Sequence, residues 1–372
     1  MIATELNPRQ VIRRMRANLG DLGTNAKARQ VRLVTTALRA ETRRLAAAQA
    51  GNAEAQYALA VMLRTGKGRA VDLPQSMQPI DLVGASIGAW RMATACLDNP
   101  VQGFDRLSHD YIHQDYKVPK GQKRPSAKQV SDEFSQTLQA FYGGHVSEVL
   151  NNPRYRLHVV TSRGKHILHN EHPLLTPLGY AGAYLCNAVK RKAMDAWLER
   201  VVFSSRGELP FDASDFATQH MALNERNFMA ALQASCSIPF VLQAVHDIPD
   251  APKGAYWDGG ITDYHLHLNY KGLVLYPHFQ KAVVPGWLDK ALKWRHKSTS
   301  FLDNTIVLAP NPEWVKTLPN GKLPDRSDFV SYASDFEGRV KVWKEAVSAS
   351  EQMADEFAEW LANPLPNVLS NL

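Results

Sequence analysis

The sequence predicts a mixed α/β fold in which a β-sheet is covered on both faces, and three stretches carry that expectation. In the first, a short apolar run at residues 79–83 stops at Gly84 as a buried strand does, and residues 89–97 read as a helix that ends before Asn99 and Pro100. In the second, residues 130–150 have helical spacing, and residues 155–161 then alternate at their start like a strand. In the third, residues 273–277 and 305–310 are apolar runs that both reach a proline, which cannot donate to a ladder, so they read as later buried strands. Helices alternating with strands along one chain pack as layers on a sheet. With 372 residues, 45% of them hydrophobic, the chain can bury a core of the size such a domain needs.

The first stretch also carries chemistry. Ser86 stands between Gly84 and Gly88, directly after the predicted strand and before the predicted helix. A serine on so sharp a strand-to-helix turn is forced into a strained backbone conformation, the crowded turn leaves little room for flanking side chains, and the hydroxyl stands clear of the backbone. The helix that follows adds unpaired N–H groups and the positive end of its dipole beside that hydroxyl. This is the arrangement of a nucleophile elbow.

A second feature lies far downstream, where Tyr256 and Trp257 precede Asp258, Gly259 and Gly260. Asp258 is expected at a strand-to-turn junction, although Asp-Gly is also among the commonest turn signals. Ahead of it, small residues at 234–237 run into Ile238 and Pro239, which suggests a tightly packed turn.

Together these motifs resemble the patatin-like phospholipase family over roughly residues 79–275. The resemblance implies a three-layer α/β/α sandwich with a mostly parallel central sheet, here with an added N-terminal helical segment. It implies a catalytic dyad in which Ser86 is the nucleophile and Asp258 the base, acting on a glycerolipid or other carboxylic ester with no cofactor. The family's glycine-rich oxyanion loop is not found in its usual form; the nearest candidates for oxyanion donors are Gly66 and Gly68. Residues 48–72 instead resemble one Sel1-type helical repeat, a unit that needs stacked neighbours to bury its apolar face. The expected division is therefore a basic helical segment over residues 1–76 and a catalytic domain over residues 77–372. Two alternatives stay open: an α/β-hydrolase with a Ser-Asp-His triad using His265, His267 or His278, and a noncatalytic binding protein on a relic hydrolase fold.

The rest of the chain bounds these readings. The net charge of +7 owes much to lysine and arginine crowded into residues 9–44. Such a segment can attract anionic lipid headgroups. Nucleic acid is disfavoured as a partner, because no aromatic residue precedes Tyr57 to stack on bases. No run of about 18 apolar residues marks a membrane span, and residues 1–7 lack a secretory signal, so a cytoplasmic location is expected. Cys96, Cys186 and Cys236 read as buried free thiols. Asp263, His265 and His267 could supply three metal ligands from one face of a strand-like segment, but no second cluster completes a site and the expectation is that no metal is bound. Residues 174–203 form an apolar-rich stretch suited to a core helix and strand, or to an acyl pocket or lid. A helix over residues 336–361 is expected to pack its apolar stripe on the sheet.

Overall fold

The computed structural model describes residues 79–115 and 125–362. The Sel1-like stretch, the basic residues 9–44, Gly66, Gly68 and most of the basic loop at 115–128 lie outside the described residues. Residues 79–349 form a compact unit.

The chain enters this unit through β1 (Ile80–Ala85) and turns at once into α1 (Ile87–Ala95). Asn99, expected only as a stop signal, caps the next helix, α2 (Pro100–Ile112), by accepting the Gln102 N–H, and Pro100 occupies its first turn where no N–H is needed. The predicted helix over residues 130–150 is two helices, α3 (Ala127–Tyr142) and α4 (Val146–Leu150). They are separated at Gly143 and Gly144, the latter with φ of 86° in the left-handed region that ends helices. Then come β2 (Tyr155–Gly164), α5 (Leu175–Val189), β3 (Leu198–Ser204), β4 (Phe211–Asp212), β5 (Thr218–Ala222), α6 (Phe228–Cys236), β6 (Val245–His246) and β7 (Ala255–Asp258). The last part of the described chain comprises α7 (Gly260–Asp263), β8 (Asn269–Tyr270), β9 (Val274–Pro277), β10 (Thr305–Leu308), α8 (Pro312–Thr317), α9 (Asp328–Ser331) and α10 (Phe336–Ala362).

The central sheet has the order β5-β3-β2-β7-β6, with β1 also paired to β2. It is mixed. The β1/β2 and β3/β5 pairs are parallel, whereas β2/β3, β2/β7 and β6/β7 are antiparallel, which corrects the expectation of a mostly parallel sheet. Apolar periodicity marks a strand without recording the direction in which it will pair.

β2 is the strand on which the site depends. On one edge it pairs with β3; on the other, Ile80 to Ala85 of β1 lie opposite Tyr155 to Val160, and Asp258 of β7 lies opposite Thr161. β1 and β7 therefore share that edge and run toward each other, so their C-terminal ends meet. The β1 register is held by a cross-strand ion pair, with Asp81 bound by Arg156 Nε at 2.6 Å and by the buried His158 Nε2 at 2.9 Å.

Alternation along the strands divides the core. Leu157, Val159, Val201, Phe203 and Tyr256 join the cluster built with α1, α3 and α6, while Val160 and Val202 pack with Phe211 and Leu268, and Leu198 and Trp257 pack with Tyr180 of α5. Trp90 anchors α1 by edge-on ring contacts to Phe134 and Phe141 at 5.4 and 5.6 Å, and Tyr142 Oη donates to the Trp90 carbonyl at 3.0 Å.

Two further expectations are corrected. β9 and β10 pair with each other outside the central sheet and are only partly buried. Val340 and Trp343 of α10 pack with Ile112 of α2 instead of on the sheet. Of the cysteines, Cys96 is buried and Cys186 and Cys236 half-buried; all three are free. Among the described residues, no helix is long and apolar enough to cross a membrane.

Candidate active site

Because β1 and β7 converge on one edge of β2, the residues at their ends touch: Ser86 Oγ donates to Asp258 Oδ2 at 2.6 Å. Ser86 has φ 55° and ψ −137°, a conformation that non-glycine residues rarely adopt and that costs of order 1–3 kcal/mol. The strain buys position, because a serine at a helix N-cap ordinarily turns its hydroxyl back onto the first-turn N–H groups. Here Ser86 makes no such cap bond. Its hydroxyl is committed to Asp258, and the first-turn N–H groups of Ile87 and Gly88 have no intrahelical acceptor. The Ala89 N–H donates to the Ser86 carbonyl at 2.9 Å.

The two flanking glycines turn out to differ. A Cβ on Gly84 would lie 2.4 Å from Ala89 Cα and 2.5 Å from its nitrogen, so only glycine lets β1 pass this close to α1. Among the described residues, a Cβ on Gly88 would meet nothing within 4 Å. Crowding therefore requires glycine at 84 and not at 88, which corrects the expectation that both positions are crowded.

Asp258 is buried, and each of its carboxylate oxygens has a donor. Oδ2 accepts from Ser86, and Oδ1 accepts the Gly260 N–H at 2.7 Å. Burial pushes the carboxyl up to about 6, against the lowering effect of these two hydrogen bonds. Such a group is ionised at neutral pH yet still basic enough to take a proton. Gly259 makes the approach possible, since a Cβ there would lie 2.1 Å from the Val160 carbonyl oxygen.

Sequence reasoning missed Ser235. Its hydroxyl accepts the Ser86 N–H at 3.0 Å and donates to the Val160 carbonyl at 2.7 Å, so one buried side chain ties the strained turn to β2. The same segment accepts the Asp258 N–H on the Ser237 carbonyl at 2.9 Å and the Gly259 N–H on the Ser235 carbonyl at 3.3 Å. The small residues before Ile238 signalled tight packing, but nothing in the sequence marked which hydroxyl would reach across 149 residues.

Asp263, His265 and His267 do not converge. Asp263 ends α7 and accepts from the fully buried Arg200 at 2.7 and 2.6 Å, and Arg200 also holds Asp215. The residues that follow form a turn instead of a strand, so alternation does not apply to them. His265 Nδ1 accepts the Val284 N–H at 2.9 Å, and His267 Nε2 lies 2.8 Å from Thr299 Oγ1. Burial, with a contribution from His278, pushes His265 down to about 3. His278 is bonded through Nδ1 to the Gln280 carbonyl. Each of the three histidines of the triad alternative thus bonds through one ring nitrogen to a group other than Ser86 or Asp258, while Ser86 is bonded to Asp258.

Tyr180 of α5 packs edge-on to Trp257, with ring centroids 6.2 Å apart. Its hydroxyl is buried with no partner among the described residues. Burial first, and the Asp258 charge second, push this phenol well above its ordinary value.

This geometry sets two expectations for stability. Gly84→Ala and Gly259→Ala should each destabilise the fold by at least about 1–3 kcal/mol through overpacking against backbone, whereas Gly88→Ala, inside a helix, should be neutral or stabilising by up to about 1 kcal/mol. Thermal melting of the three variants distinguishes these outcomes. The second concerns pH. The Asp258 carboxyl titrates at about 6 in the fold against 3.8 when unperturbed, so the fold favours its protonated form. That contribution is complete below about pH 4 and lost as pH rises through about 6, roughly 3 kcal/mol in all. Denaturant unfolding at a series of pH values should show this slope in the unmodified protein and a flatter one in Asp258→Asn.

No protein-family model matches the chain, and no curated protein matches its sequence.

Proposed function

We propose that the protein is a patatin-like serine hydrolase that cleaves carboxylic esters, glycerolipid acyl esters among them, through a Ser86–Asp258 dyad. The observation that carries this reading is the 2.6 Å bond from Ser86 Oγ, on a strained turn, to a buried carboxylate held by a second donor. The motif resemblance supports the substrate class. On this reading, the elements on the two faces of the central sheet are the outer layers of an α/β/α sandwich.

Asp258 Oδ2 takes the proton from Ser86 Oγ as the oxygen attacks the ester carbonyl. The carbonyl oxygen becomes an oxyanion beside the N-terminal end of α1, where the Ile87 N–H, on the residue after the nucleophile, is the donor in position to receive it. Collapse of the intermediate expels the alcohol, which takes the proton back from Asp258 and leaves the acyl group on Ser86. Water then gives a proton to Asp258, attacks the acyl carbonyl and releases the carboxylic acid, and the proton returns to Ser86. No histidine and no metal is called on.

The test is labelling by a fluorophosphonate probe together with short- and long-chain ester hydrolysis. Ser86→Ala should abolish both labelling and turnover, and Asp258→Asn should lower turnover by at least about 10²-fold. Single replacements of His265, His267 and His278 by alanine should leave turnover within a fewfold in variants that fold, whereas a triad enzyme would lose most of it with one of them. Because the base must be ionised, kcat/KM should rise with pH through about 6 and then level, matching the burial-raised Asp258 carboxyl. Absence of labelling and turnover in the well-folded protein would reject the hydrolase in favour of a binding protein on a relic fold.

A further inference from the structure

The outer face of α5 is apolar along its whole length. No residue of Leu175–Val189 is charged, and Thr176, Gly179, Tyr180, Ala183 and Asn187 form its buried side. On the opposite side, at successive helical spacings, stand Leu174, Leu178, Ala181, Leu185 and Val189. The four large members of that row are 77%, 61%, 66% and 86% exposed. Single exposed leucines are ordinary on protein surfaces, but a continuous row is not, and water opposes leaving it uncovered. Phe240, half exposed, extends the patch at one side, its ring 6.0 Å from that of Tyr180.

The C-terminal end of the row has a different chemistry. Arg295 donates to the Asn187 side chain at 3.0 Å and to the Asn187 carbonyl at 2.5 Å, which pins the turn Lys293–Arg295 against the last turn of α5. The neighbouring Trp294 is 62% exposed. Lys190, Lys293 and Lys297 are exposed and, among the described residues, form no ion pair. An apolar helix face bordered at one end by an indole and several ammonium groups matches the boundary between acyl chains and headgroups: leucines enter the hydrocarbon, the indole lies at the boundary, and lysines reach anionic phosphates. The basic rim is what selects a lipid surface as the occupant, since its ammonium groups complement anionic headgroups.

We propose that α5 is an interfacial docking element that lies flat on a lipid surface containing anionic headgroups, with its Leu174–Leu178–Leu185–Val189 face immersed and Lys190, Lys293 and Lys297 against phosphate. The immersed depth for such a helix is about 5–10 Å. The inner side of the same helix packs on Trp257, next to Asp258, so docking sets the candidate site close to the membrane. This inference rests on the exposed face and its basic rim and holds whether or not Ser86 is a nucleophile.

The test is co-sedimentation of the full chain with vesicles of phosphatidylcholine alone and of phosphatidylcholine mixed with phosphatidylglycerol. The unmodified protein and Ser86→Ala should both bind the mixed vesicles, more weakly as salt is raised. The double variant L178E/L185E should bind at least tenfold less, and Val330→Glu, at an exposed apolar position outside the face, should bind like the unmodified protein. The triple variant K190Q/K293Q/K297Q should lose most of the preference for anionic over neutral vesicles. Since all these side chains are exposed, circular dichroism and melting should match the unmodified protein. Failure of the unmodified protein to bind either vesicle would overturn the proposal, as would binding unchanged by L178E/L185E, which would place adsorption on the basic residues 9–44. A dimer of the unmodified protein that L178E/L185E converts to monomer without affecting vesicle binding would assign the face to a second copy of the chain instead. Loss of ester turnover in Ser86→Ala with vesicle binding retained separates this inference from the hydrolase reading.

Discussion

Everything at the candidate site follows from the sharing of one edge of β2 by two strands that run toward each other. β1 pairs with the first part of β2 and stops opposite Val160; β7 comes from the other direction and stops opposite Thr161. Two strand ends facing across adjacent positions of one template leave room for very short connections only, and the residues just at those ends, Ser86 and Asp258, are held at 2.6 Å. A mostly parallel sheet would carry both strand ends to the same edge side by side. The mixed sheet brings them head-on, and the antiparallel β2/β7 pairing therefore positions the candidate site as well as building the fold.

Such a meeting has to be stabilised against its own strain. Ser86 occupies an unfavourable backbone region, and Asp258 is a carboxylate removed from water. The offsetting contacts come from a third segment. Ser235 receives the Ser86 N–H and returns its own hydrogen to the Val160 carbonyl, and the adjacent carbonyls of Ser235 and Ser237 receive the Gly259 and Asp258 N–H groups. Below α7, the buried Arg200 holds Asp263, with Asp215 on its other side. A buried charge cluster of this kind adds little net stability, but removing one partner leaves the others uncompensated, so it specifies where α7 sits.

Several elements were legible in the chain because their signals are local. The strand before Ser86, the turn from it into a helix, the strand-to-turn junction at Asp258 and the tight packing before Ile238 each depend on a few neighbouring residues, and each is present, with the strand running on through Gly84 to Ala85. The misreadings concern relations between distant residues. Periodicity found the strands β9 and β10 but assigned them to the core, when they pair with one another at its margin. It found α10 and could not tell that Trp343 meets Ile112 instead of the sheet. It put Asp263, His265 and His267 on one face, because alternation was assumed where the chain turns out of a short helix.

Read alone, the chain marks local features: a serine flanked by two glycines between a strand and a helix, an aspartate in an Asp-Gly-Gly turn, and an apolar-rich stretch over residues 174–203. These depend on backbone geometry and side-chain type within a few residues, where steric exclusion and polarity act directly. Only the folded chain settles which partner each group finds, Asp258 for Ser86, Ser235 for the Ser86 N–H and Arg200 for Asp263, and that the outer face of α5 is left exposed. The reason is that strand direction, register and burial are set by the simultaneous packing of segments far apart in the chain. One-residue changes in that pairing reverse which face a side chain occupies.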